Sequence, residues 1–119
     1  MPDRDGELTQ MQAATIRALA SPHRLRIVAL LRGGPREVNE IVRHLDAAQA
    51  TVSQHLAVMR TAGLVEATRD GRIVCYRLAD PEIGDACDVM RQTIVRRLSA
   101  QSTIPDNAID PTTAQVIHA

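Results

Sequence analysis

The stretch Ala50-Thr51-Val52-Ser53-Gln54-His55-Leu56-Ala57-Val58-Met59-Arg60-Thr61-Ala62-Gly63-Leu64-Val65 decides how this chain is read. Val52, Leu56 and Met59 recur at helical spacing and predict a helix from about Gln49 to Ala62, stopped by Gly63 as a C-cap. Those three side chains are expected to be buried. Gln49, Ala50, Ser53, Gln54 and Ala57 then face outward, which leaves a helix with one short, polar side.

Upstream, Val38, Ile41, Val42 and Leu45 fall at i, i+3, i+4 and i+7, a single apolar face on a short helix from about Arg36 to Leu45. Asp46-Ala47-Ala48 is a brief break before the next helix, and Asp tolerates the left-handed conformation that such a break needs. Before it, Ser21-Pro22 places an N-cap and a first-turn proline at the start of a helix carrying Leu25, Ile27, Val28, Leu30 and Leu31. Gly33-Gly34-Pro35 ends that helix. A first helix is expected from Leu8 through Met11, Ile16 and Leu19, with residues 1–7 loose.

Downstream the period changes. Leu64–Arg69 and Arg72–Leu78 read as two strands joined by an Asp70-Gly71 hairpin turn. Asp80-Pro81 opens a last helix to about Ser99, with Ile83, Cys87, Met90, Ile94 and Leu98 on one stripe and Ala86, Val89 and Val95 beside it. That stripe is wider than one small domain needs. Residues 101–119 show no sustained period and are expected to be disordered, so the folded domain is expected to span residues 8–100.

This order (four helices, a hairpin and a last helix) is mainly α with a small β-hairpin, a winged helix-turn-helix. A helix of about 14 residues is roughly 21 Å long and fits a DNA major groove when one face is short and polar. Gln49, Thr51, Ser53, Gln54 and His55, with Arg60 on the same helix, are the candidate DNA-binding residues there. Gln can pair adenine in bidentate fashion, and Ser or Thr can reach bases or phosphates. Arg69 and Arg72 flank the hairpin tip, where a wing meets the DNA backbone or minor groove. The bland reading of the same residues is a solvated helix face with no partner.

Composition narrows the classes. Among 119 residues Tyr76 is the one aromatic, with no Phe or Trp. That argues against a base-stacking platform for single strands and against an aromatic-lined small-molecule pocket. All 14 basic residues are Arg, which excludes Schiff-base or phosphate-loop lysine chemistry. Arg also suits bidentate contacts with phosphate or guanine, although a GC-rich genome would give the same bias. The formal net charge is zero, yet residues 21–77 carry +4, residues 78–119 −3 and residues 1–20 −1. Two cysteines make no disulfide framework, and no apolar run spans a bilayer, so a cytoplasmic protein with no membrane partner is expected.

Three segments carry a family resemblance. Leu19-Ala-Ser-Pro-His-Arg-Leu-Arg-Ile-Val28, Ala50 to Val65, and Arg69-Asp-Gly-Arg-Ile-Val-Cys-Tyr-Arg-Leu78 resemble the second-helix entry, the recognition helix and the wing of the ArsR/SmtB family. The resemblance covers about residues 8–100. It implies a transcriptional repressor that binds an inverted-repeat operator on double-stranded DNA as a homodimer. The dimer would form through the first and last helices, and an effector would release the DNA.

The effector stays open. The third-helix cysteine cluster of many members is absent from Glu37-Val-Asn-Glu-Ile-Val-Arg-His-Leu45. For the last-helix metal site the matching positions are Asp80, Glu82, Thr93 and Arg96, and neither Thr93 nor Arg96 suits a metal. A metal ion therefore remains a candidate cofactor without an assigned site. Cys75 and Cys87 are candidate sensor thiols, whose pairing would tie the wing to the last helix. The alternative is that both are small buried hydrophobes. His23, in the first turn of the second helix, is expected on the surface. A second class of function is a winged-helix binding module without a sensing site. No nucleophile–base pair or glycine-rich loop supports an enzyme.

Overall fold

In the computed structural model, residues 3–101 are described. The order is α1 (Arg4–Leu19), α2 (Pro22–Leu31), β1 (Arg36–Glu37), α3 (Val38–Leu45), α4 (Gln49–Thr61), β2 (Val65–Asp70), β3 (Ile73–Leu78) and α5 (Pro81–Gln101). The chain divides into two compact units, residues 1–87 and 88–119.

In the first unit α2, α3 and α4 enclose the core. Ile27, Val28, Ile41, Val52 and Met59 are fully buried, joined by Leu31, Leu45, Leu56, Leu64 and Val65. The expected inward face of α4 is the observed one: Val52, Leu56 and Met59 are buried while Gln49, Ala50, Ser53, Gln54 and Ala57 are exposed. Local chemistry sets the helix ends. Ser21 Oγ accepts from the Arg24 N–H at the start of α2, where Pro22 opens the helix. Asp46 closes α3 in the left-handed conformation, φ 50° and ψ 47°. At the end of α4, Leu64 N–H donates to Met59 O and Gly63 N–H to Arg60 O, the paired bonds of a Schellman motif around Gly63.

Four expectations need correction. Helix α1 begins at Arg4 rather than Leu8, because Asp3 caps it by accepting from Gly6 N–H; of the stretch expected to be loose, residues 4–7 are helical. Residues 36–37 are not helical but form strand β1, pairing Arg36 with Tyr76 and Glu37 with Cys75, so the hairpin is part of a three-stranded sheet in the order β1-β3-β2. Two residues carry too little periodicity to announce a strand. The hairpin turn is centred on Gly71-Arg72, one residue later than expected, since Asp70 pairs with Ile73. Gly71 has φ 64° there and Arg72 does not share the positive φ, the pattern of a type II′ turn with glycine first. Finally, α5 runs to Gln101; the expected tail beyond it lies outside the described residues.

In the second unit the described residues continue α5. Gln92 Nε2 donates to Asp88 Oδ2 at 2.6 Å, Thr93 Oγ1 to Val89 O at 2.9 Å and Arg96 Nη2 to Thr93 Oγ1 at 3.3 Å. Among the described residues no helix is long and apolar enough to cross a membrane.

Candidate nucleic-acid interface

Helix α4 is anchored by its buried seam, and its turn of ~100° per residue then fixes where each candidate lies. Gln54 falls opposite Val52, Leu56 and Met59, at the middle of the exposed arc. Thr51 and His55, both half-buried, lie on one flank, and the exposed Gln49, Ser53 and Arg60 on the other. Ala50 and Ala57, beside Gln54, are exposed and small, so a surface can approach the helix closely there. The N-cap position is Ala48, whose side chain makes no cap bond, and no acid stands in the first turn of α4.

The wing places Arg69 in β2, opposite Val74, and Arg72 in the turn itself; both are exposed. At its base Arg77 Nη2 donates to Glu66 Oε2 at 2.5 Å across the strands.

The arginines of residues 21–77 do two different jobs. Arg32 pairs with Asp85 at 3.0 Å, Arg36 with Glu40 at 3.5 Å, and Arg77 with Glu66. Arg26 donates to His44 O at 3.3 Å, and Arg24 to Ala18 O at 3.2 Å and to His55 Nδ1 at 3.0 Å. Arg43, Arg60, Arg69 and Arg72 are exposed and have no partner among the described residues. These four sit on α3, α4 and the wing. Sequence reading missed Arg43, because a basic residue in the last turn of a helix is also what the helix dipole favours.

His23 is half-buried rather than on the surface, with its ring 5.2 Å from that of His55 at a 58° tilt. His55 is held below the ordinary histidine range, first by burial, then by the Arg24 charge and by His23.

The two thiols are free and half-buried. Cys75 lies on the central strand β3, opposite Glu37 on one side and Thr68 on the other. Cys87 packs against the core, and burial pushes its thiol up. Among the described residues no three His, Cys, Asp or Glu side chains gather as a metal-holding group. A shallow cleft of about 290 Å³ opens between Leu31, Gly34, Leu78 and Pro81, with no aromatic ring in its lining.

The family described as "Bacterial regulatory protein, arsR family" matches residues 21–67, from the N-cap of α2 into β2. The chain is 46% identical over 74 residues to the HTH-type transcriptional repressor SmtB of Mycobacterium tuberculosis, a match covering 62% of this chain and 55% of that one. The chain thus spans about half the length of that repressor. To the HTH-type transcriptional regulator NmtR of the same organism it is 37% identical over 84 residues, covering 71% of this chain and 70% of the other. Among solved structures, the homodimeric winged helix-turn-helix DNA-binding domain of Mb0332 from Mycobacterium bovis superposes with a TM-score of 0.75 at 30% identity, covering 84% of this chain and 93% of that one.

Proposed function

The chain belongs to the ArsR family of bacterial regulatory proteins, and on that premise we propose that it is a repressor that binds double-stranded operator DNA as a homodimer. The family and these relatives are regulators of transcription, not enzymes. The observation that carries the DNA reading is the face of α4: Gln54 exposed opposite a fully buried seam, with the small Ala50 and Ala57 beside it and the unpartnered Arg60 on one flank. Gln54 and Ser53 would read bases in the major groove. Arg60, Arg69, Arg72 and Arg43 would hold phosphates, with Gln49, Thr51 and His55 at the margins of the reading face.

The dimer reading rests on apolar side chains left in solvent. Leu8 and Met11 on α1 are 64% and 67% exposed, and Val89 and Met90 on α5 are 63% and 59% exposed. Burying such residues against a second copy removes the cost of their hydration. A twofold dimer calls for an inverted repeat with half-sites about one helical turn apart.

The experiment is selection of the tightest duplex from a randomised pool, followed by titration with Gln54→Ala. The selected sequence should be an inverted repeat, and the variant should lose about 1–3 kcal/mol and relax its base preference. Equal binding to every duplex, unaffected by the variant, would sink the reading.

We further propose that an effector, a metal ion or a thiol reagent, releases the DNA. A second reading, a DNA-binding module without a sensing site, is favoured by the bond between Thr93 and Arg96, the two positions at which the family resemblance puts half of a metal site. Titrating the complex with divalent metals, then with oxidants and persulfide, separates the two.

A further inference from the structure

Arg24 makes two bonds that no function so far uses. Its backbone is fixed in the first turn of α2, where Arg24 N–H donates to Ser21 Oγ at 3.4 Å. From there Nη1 donates to Ala18 O at 3.2 Å, one of the last carbonyls of α1, which no further turn of that helix can satisfy. Nε donates to His55 Nδ1 on α4 at 3.0 Å. Because the guanidinium is planar and rigid, two such bonds fix its plane. One group therefore spans the end of α1, the start of α2 and the middle of α4.

The direction of the Arg24–His55 bond decides the chemistry of the ring. A guanidinium nitrogen can only donate, so Nδ1 must offer a lone pair, and the single ring proton sits on Nε2. His55 Nε2 has no hydrogen-bond partner among the described residues, and it is not one of the buried unsatisfied atoms, so it reaches solvent although the ring is half-buried. The tilted ring of His23 braces it from the side. His55 lies on the same flank of α4 as Thr51 and next to Gln54.

We propose that Arg24 is a positioning residue for operator recognition: it holds His55 as the Nε2–H tautomer and presents that N–H, in a fixed direction, to an acceptor on the duplex. This rests on the DNA-binding reading above. The acceptor is a phosphate oxygen or a base-edge atom, both of which take one neutral N–H donor. A neutral donor adds no charge of its own, so its contribution comes from direction, and Arg24 supplies the direction. Positive charge repels protonation of the ring, and Arg24, adjacent to it, adds to burial in keeping His55 neutral.

Two measurements test this. On the free protein, imidazole nitrogen NMR should show His55 with Nδ1 unprotonated and Nε2 protonated, and Arg24→Lys should shift the ring toward a tautomer mixture. A protonated Nδ1 in the wild type would overturn the proposal. On the tightest duplex from the randomised pool, Arg24→Lys and His55→Ala should each weaken binding roughly tenfold, the size of one lost side-chain hydrogen bond. Together they should cost little more than either alone, because Arg24 acts through His55. Losses that multiply would mean that Arg24 matters only to packing, and would overturn it. Arg24→Gln serves as a second variant if Arg24→Lys unfolds, with thermal midpoints recorded for all. A wild type that binds no duplex would end the DNA reading and this use of His55, while the nitrogen spectrum would still report whether Arg24 sets the tautomer.

Discussion

Gly84, in the first turns of α5, lies directly against Arg32 at the end of α2: a Cβ built on Gly84 would stand 2.6 Å from Arg32 Cγ and 3.0 Å from Leu78 Cδ1. Arg32 cannot simply withdraw, because its Nη2 is bonded to Asp85 Oδ1 at 3.0 Å. Gly84→Ala gains helix propensity of about 1 kcal/mol. The overlap, at the middle of a side chain rather than at its tip, should outweigh this. A net loss of about 1–2 kcal/mol, read as a lower urea midpoint with unchanged slope, is expected. An unchanged or raised midpoint would mean that Arg32 and Leu78 move aside freely.

Acid should weaken the native state through His55. Its native affinity for a proton lies below the ordinary histidine value of 6.5, through burial, Arg24 and His23 in that order. Above 6.5 the ring is neutral both folded and unfolded, and the full benefit is present. As pH falls below that value the unfolded chain takes up the proton first, and stability declines until the native ring also protonates. His55→Gln should remove this part of the slope. A wild type and variant that lose stability in parallel between neutral pH and pH 5 would refute the linkage.

Arg72 stands in the turn between the wing strands, exposed and without a partner among the described residues. Arg72→Ala should weaken all duplexes alike and flatten the dependence of log K on log salt by about one unit. Arg77→Ala is the control. Because Arg77 is held by Glu66, its removal should leave the slope nearly unchanged. Equal effects of the two variants would show that the wing tip does not touch phosphate.

Cys87 should be a slow thiol. It packs on the core, and burial favours its protonated form. Alkylation by iodoacetamide at neutral pH should run roughly tenfold slower in the native protein than in urea, since the thiolate is the reactive species. Should the Cys75/Cys87→Ser double variant still release DNA under oxidant, no thiol switch operates.

The sequence was most legible where burial follows a period. Val52, Leu56 and Met59 announced both the inner face of α4 and, by difference, its outer one. Asp46 is a residue that tolerates the left-handed φ it adopts. Where structure depends on partners distant in the chain, the period was silent. Arg36 and Glu37 are a strand only because Tyr76 and Cys75 come to lie beside them. The hairpin centre moved by one residue because strand register, not the Asp-Gly pair alone, places Gly71 first in the turn. In the candidate site the gap was one of charge accounting. Nine arginines between residues 21 and 77 look equivalent in a string. Folding spends Arg24, Arg26, Arg32, Arg36 and Arg77 on internal groups and leaves Arg43, Arg60, Arg69 and Arg72 outside.

The two residues of β1 have a mechanical consequence. Glu37 is at once the N-cap residue of α3 and the partner of Cys75 in the sheet. With β1 on one edge and β2 on the other, β3 has no free edge where the three strands overlap, and the wing is riveted to the start of the helix-turn-helix. The base of the wing and the start of α3 are therefore joined by one short ladder. A load applied at the wing tip arrives at the first turn of α3, and any group forced in beside Cys75 would pry at that same rivet.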